Sequence, residues 1–200
     1  MQFCYSLTAW RYPAAYFRQL QNALLFKSEA GKAILTARFQ AIPSGVCRLY
    51  VDGDFSSKED VIFWMALVGS RPDVQAYGYS KSWLELIQAH LSGIKWPSNY
   101  LLNLSSGSRH NMGLEAIVAQ LPIARGKFTA LPIAREHIAN RSYQGPHKPG
   151  WRDYQKAVIQ AADGRRVFVC RGKCGACLPD GAHACGAERM RGVEIVIGVH

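Results

Sequence analysis

Along the 200-residue chain the spacing of apolar positions switches repeatedly between a helical period and a strand-like one. Ala9 to Phe39 reads as helical. Tyr16, Leu20, Ala23, Leu24 and Lys27 fall at helical spacing, polar Arg18, Gln19, Gln21 and Asn22 lie between them, and Gly31 marks a break. Val46 to Val51 is apolar and β-branched enough for a strand and ends at Asp52-Gly53-Asp54. Ser56 and Glu59 have the spacing of a capping box ahead of an apolar helix over Val61 to Val68.

The same strand–loop–helix pattern recurs. Val74 to Tyr79 predicts a strand after the turn Arg71-Pro72-Asp73, and Trp83 to Leu91 a helix. Tyr100 to Leu104 predicts a strand, Gly113 to Gln120 a short helix, and Lys127 to Ile133 another strand. Asn140 to Gly150, with its glycines and prolines, reads as a loop or lid. Asp153 to Ala162 follows as a helix, then Arg166 to Val169 and Val193 to Val199 as strands. Strands alternating with helices predict an α/β fold, either an open, mostly parallel sheet or a partial (β/α) barrel, in one domain over residues 1–200. A cysteine-rich loop sits near its C-terminus.

That loop carries the most specific chemistry. Residues 170–186 hold Cys170, Cys174, Cys177 and Cys185, with glycines that let the backbone turn tightly between them. Thiolates at this spacing can converge on one metal, and Arg171 and Lys173 would favour the thiolate form. Four cysteines suit tetrahedral zinc or an iron–sulfur cluster. Only Cys174 and Cys177 have the zinc-knuckle form, and three cysteines crowded together with one further off favour a cluster. The spacing from Cys170 to Cys177 also matches that of radical S-adenosylmethionine enzymes. Three features depart from that pattern: Ala176 stands where an aromatic residue is usual, the motif follows a late strand, and no Gly-Gly-Glu-like segment is present. The plain alternative is a group of free buried thiols. His183 is a substitute ligand or an ordinary loop histidine, and Cys47 reads as a small core residue.

Polar residues at the predicted strand ends form a second candidate site, because open α/β sheets bind ligands beyond the carboxyl ends of their strands. These are Asp52 and Asp54, Tyr79 and Lys81, and Asn103 and Ser105. For the aspartates, a turn with a helix cap is the competing reading. Trp10, Arg11 and Tyr12 would either stack on a base or pack the first helix on the sheet.

Composition changes the picture in two ways. Hydrophobic residues make up 48% of the chain and charged ones 19%, which is a globular composition. Lys and Arg number 24 against 14 Asp and Glu, a formal charge of +10, so a nucleic-acid partner enters beside a plain basic surface. The start lacks a basic region followed by an apolar run, and no stretch is long enough for a membrane helix. A cytoplasmic protein without a membrane partner is expected, and there clustered cysteines point to a metal rather than disulfides.

Three segments carry a family resemblance: Cys4 to Pro13, Arg48 to Phe55, and Tyr77 to Ser82. Together with the C-terminal cysteine block, in the same order, they resemble the phage and plasmid gene product 88 domain family. The resemblance implies a mobile-element protein of iron–sulfur or radical-enzyme-like character. It also implies further cysteines just before Cys4, which are not in this sequence, and makes Cys4 a candidate ligand.

Overall fold

The computed structural model describes residues 11–50, 53–110, 112–138, 149–172 and 177–199. It is a mixed α/β fold in which six parallel strands form an open, curled sheet, a half-barrel, in the order β1-β2-β3-β4-β6-β5. The strands are β1 Gly45–Arg48, β2 Val74–Ser80, β3 Tyr100–Ser105, β4 Ala124–Pro132, β5 Val167–Val169 and β6 Glu194–Val199. The helices described are α1 Pro13–Phe26, α2 Glu29–Gln40, α3 Lys58–Gly69, α4 Trp83–Leu91, α5 Met112–Val118, α6 Arg135–Ile138 and α7 Pro149–Ala161.

The helical N-terminal segment is a hairpin. The chain turns at Lys27–Ser28, where the Ser28 side chain accepts a hydrogen bond from Gly31 N–H at 3.0 Å and caps α2. Gly31 is therefore inside α2 rather than at the break. It is glycine because the helices cross there: a Cβ would lie 1.8 Å from the Leu25 carbonyl oxygen. Phe26 docks the hairpin on α3, with its ring 5.2 Å from Phe63 and 6.0 Å from Trp64.

Other boundaries moved for local reasons. β1 stops at Arg48 because Tyr50 turns into the left-handed region at φ 51°. The cap of α3 is Ser57, accepting from Asp60 N–H at 3.2 Å, one residue later than the Ser56–Glu59 pairing predicts. The Asp60 carboxylate reaches back to Ser56 N–H instead, at 2.9 Å. β4 starts three residues early, and its pairing with β3 slips between Leu102 and Asn103, beside Gly126 at φ 151°. Pro149 and Gly150 open α7 rather than ending a loop, consistent with the tolerance of proline in a first helical turn.

Topology decides what covers each face. From β1 to β4 each crossover steps one place in the same direction. The crossover through α7 continues that way but skips a place, and β6 then steps back into the gap. Right-handed crossovers put connections that travel in opposite directions on opposite faces. Accordingly Ala76, Leu102, Leu104 and Ala124 pack under α3 and α4, and Val169 and Val196 pack with Trp151, Tyr154 and Val158 of α7. On the other, inner face lie Tyr77, Leu101, Phe128, Phe168 and Ile195, and the segment between β5 and β6 closes over them with Ala184, Cys185 and Met190. That segment is the cysteine loop.

Candidate metal centre

Cys170 follows β5 directly. Its N–H donates to the Val196 carbonyl at 2.7 Å, so it is still held against β6, and the Tyr154 hydroxyl donates to its carbonyl at 3.1 Å. Gly172, at φ 78°, turns the chain away, and its N–H approaches the Cys170 sulfur at 3.4 Å. Cys177 opens a tight turn in which its own N–H and that of Leu178 both donate to the Ala182 carbonyl at 3.1 Å. An Asp180–Arg189 ion pair braces that turn. Cys185 is buried in a short 3-10 turn, Ala184–Gly186, pressed onto β2 and β3. Gly186 makes the close approach possible: a Cβ there would meet the Tyr77 ring at 2.8 Å.

Cys170, Cys177 and Cys185 thus belong to one cluster on the inner face. Burial, first of all, pushes the Cys185 thiol up to about 12, and the neighbouring Cys170 and Cys177 push the same way. A hydrogen bond from Tyr79 and the charge of Arg125 oppose them. Tyr79 is itself held well above the ordinary phenol range, by burial and then by Cys185. Its ring packs edge-on to Phe128 at 4.8 Å, and the Arg48 guanidinium lies 4.7 Å from the ring centroid. His183 is half-buried, with Nδ1 3.3 Å from the Tyr77 hydroxyl. Among the described residues, no three Cys, His, Asp or Glu side chains already stand close enough together to hold a metal ion. Cys174, Cys4 and Asp52 lie outside the described residues.

The donor chemistry fits a thiophilic metal. Three thiols share one cluster whose other side chains are mostly aromatic or aliphatic, with Asn103, Arg125, Arg48 and His183 beside it.

The predicted strand-end site divides in two. Tyr79 and Asn103 join the cysteines. Asn103, fully buried, donates from Nδ2 to the Gly78 and Cys185 carbonyls, both at 3.0 Å, and so ties the 3-10 turn to the sheet. Ser105, half-buried, follows on the same face of β3 by strand alternation. Asp54 and Lys81 instead hold the strand-end loops together. Asp54 accepts from Ser80 Oγ at 2.7 Å, Lys81 N–H at 2.6 Å and Phe55 N–H at 2.8 Å, and the Lys81 carbonyl accepts from Ser108 Oγ at 2.8 Å. Cys47 is half-buried against the outer core, as its apolar neighbours imply.

Sequence reasoning missed Arg125. Its side chain is wholly buried between β3, β4 and the end of the cysteine loop. The signal was a repeat: Leu121-Pro122-Ile123-Ala124-Arg125 recurs as Leu131-Pro132-Ile133-Ala134-Arg135. The second arginine is exposed and the first is not.

The family model described as gene product 88 matches residues 1–193, almost the entire chain and the whole cysteine loop. The chain belongs to the gene product 88 family. No curated protein and no solved structure matches it. In this gene product 88 member no described helix is long and apolar enough to cross a membrane.

Proposed function

We propose that this gene product 88 protein binds an iron–sulfur cluster through Cys170, Cys174, Cys177 and Cys185, with Cys4 as a further candidate ligand. The observation that supports the reading is that Cys170, Cys177 and Cys185 fall in one cluster on the inner face of the half-barrel, from separate turns of one loop. Bound there, a cluster would supply one-electron chemistry, in keeping with the radical-enzyme-like spacing of its first three cysteines. The chain's own residues shield it. Tyr77, Tyr79, Phe128 and Phe168 keep water from the inner face, and Asn103 fixes the Cys185 turn. The half-buried Tyr79 and Ser105 mark the side from which a small molecule or nucleotide would approach, with Asn103 buried behind them, while Asp54 and Lys81 set the shape of the neighbouring rim.

The test is metal analysis after oxygen-free, iron-supplemented expression. Iron and sulfide in stoichiometric amounts, with brown colour, are expected. Replacing Cys170, Cys174 and Cys177 together with serine should abolish metal content. Unchanged metal content in that variant refutes the assignment.

A second reading is a zinc-stapled, basic nucleic-acid-binding or host-interaction protein of a mobile element, without catalysis. Its support is the charge of +10 and the hairpin, where Arg11, Arg18, Lys27, Lys32 and Arg38 stand against a single acidic residue within residues 11–40, Glu29. A colourless protein with stoichiometric zinc and salt-sensitive retention on DNA or RNA would favour it over the cluster.

A further inference from the structure

Arg125 sits next to the cysteine cluster with its side chain fully buried. Its Nε donates to Asn103 Oδ1 at 2.6 Å. One terminal nitrogen donates to the Met190 and Val193 carbonyls at 3.0 and 2.6 Å, and the other to the Lys127 carbonyl at 2.9 Å. Every one of these acceptors is a neutral oxygen. None of the ion pairs among the described residues includes Arg125. A second cation, Arg191, lies close enough to oppose its charge, although Arg191 has Glu188 as a partner at 2.6 Å.

A guanidinium does not give up its proton inside a protein. Among the described residues, therefore, no carboxylate balances this fixed positive charge in its dry place, an arrangement that is normally strongly unfavourable. What lies beside it is the Cys185 turn: Asn103, which accepts from Arg125 through Oδ1, donates through Nδ2 to the Cys185 carbonyl at 3.0 Å. Thiolate ligands leave either a zinc site or an iron–sulfur cluster with net negative charge, which is the charge this position lacks.

We infer that Arg125 is the counter-cation of the cysteine-bound centre, held in place by Asn103 and the loop carbonyls so that its charge faces the thiolates. The inference rests on the metal-centre reading. It also explains the placement of the hydrogen bonds. Arg125 and Asn103 together grip the carbonyls of Cys185, Met190 and Val193, so the group that balances the centre also closes the loop around it.

The experiment compares Arg125→Lys, which keeps the charge and loses most of the hydrogen bonds, with Arg125→Gln, which loses the charge. Metal affinity is read by chelator competition and, for an iron–sulfur protein, the reduction potential by titration. R125Q is expected to bind roughly 10–100-fold more weakly, the range of lost outer-shell partners. Its potential should fall below the wild-type value, because removing a nearby cation disfavours adding an electron. R125K should stay near wild type in both, although the metal-free forms of both variants lose stability. Asn103→Asp sets a carboxylate against Arg125 and should weaken binding as R125Q does, and by more than Asn103→Leu, which loses the same hydrogen bond to the Cys185 carbonyl without adding a charge. It decides the matter if R125Q does not fold. Equal losses in R125K and R125Q, or wild-type affinity in R125Q or N103D, overturn the counter-cation role and leave the metal centre standing. A wild-type protein that takes up neither iron nor zinc overturns the metal centre, and this role with it.

Discussion

Gly186 shows how little room the inner face leaves. The nearest Tyr77 ring atoms lie 2.8 and 3.3 Å from where a Cβ would be, and Tyr77 is held between Tyr79 at 6.1 Å and His183 at 5.9 Å. Gly186→Ala is expected to lower stability by about 1–3 kcal/mol through overpacking, read by chemical denaturation. It should also loosen Cys185, its immediate neighbour. Asp54 gives a pH-dependent prediction. Burial raises its carboxyl above the ordinary range, more than its hydrogen bonds from Lys81, Ser80 and Phe55 lower it. The folded state therefore binds this proton more tightly than the unfolded chain does. That contribution is complete below the unfolded value of about 3.9 and is lost as the pH rises through the folded value. Denaturation at a series of pH values should show wild type losing stability relative to Asp54→Asn as the pH rises; the opposite slope would show that the hydrogen bonds outweigh burial. The residues of this site were unevenly legible. Cysteines announce themselves by spacing, whereas Asn103 was visible only as a polar residue at a strand end. Its task, holding a carbonyl 82 residues away, depends on how the chain returns.

At the scale of elements, the alternation of strand and helix was readable because each element repeats its own period over several residues. Lateral order was not. Nothing in the local pattern of β6 distinguishes a strand at the sheet edge from one inserted between β4 and β5. Arg125 escaped for a related reason: the identical pentapeptide around Arg135 sits at the far end of the same strand, and only the slip beside Gly126 sends the first arginine inward. The elements that are legible are also separately testable. Ser57→Ala removes the cap of α3 and should cost about 1 kcal/mol. Asn99 deserves a larger effect. Its Nδ2 donates to the carbonyls of Val68 at 2.9 Å and of Arg71 and Val74 at 2.8 Å, joining the end of α3 to β2 and β3. Asn99→Ala would leave buried carbonyls without their donor and is expected to destabilise by about 1–3 kcal/mol, with Ser57→Ala as the milder control in the same denaturation series.

Across the whole molecule, the reversal of strand order couples the cysteine loop to the sheet. Helices cover the outer face, but the inner aromatic surface of Tyr77, Tyr79, Phe128 and Phe168 is covered by a loop whose described regular structure is two 3-10 turns. Such a loop has few repeating backbone hydrogen bonds of its own. It is fastened instead by Asn103 and Arg125 from within, and at its end by Arg191, which donates to the Pro122 and Ala124 carbonyls. If a metal joins Cys170, Cys174, Cys177 and Cys185, it ties the two limbs of that loop together, and its binding energy contributes to the stability of the inner face. Removing the metal with a chelator should then lower the melting temperature and raise binding of a hydrophobic dye, because Tyr77, Leu101 and Ile195 lose their cover. Far-ultraviolet circular dichroism should change little, since the helices pack on the other side. The triple serine variant should behave like the chelated protein from the outset and show no response to chelator. A melting temperature indifferent to chelator in a metal-loaded protein would mean that the loop closes on the sheet through Asn103, Arg125 and Arg191 alone, and that the metal serves chemistry rather than the fold.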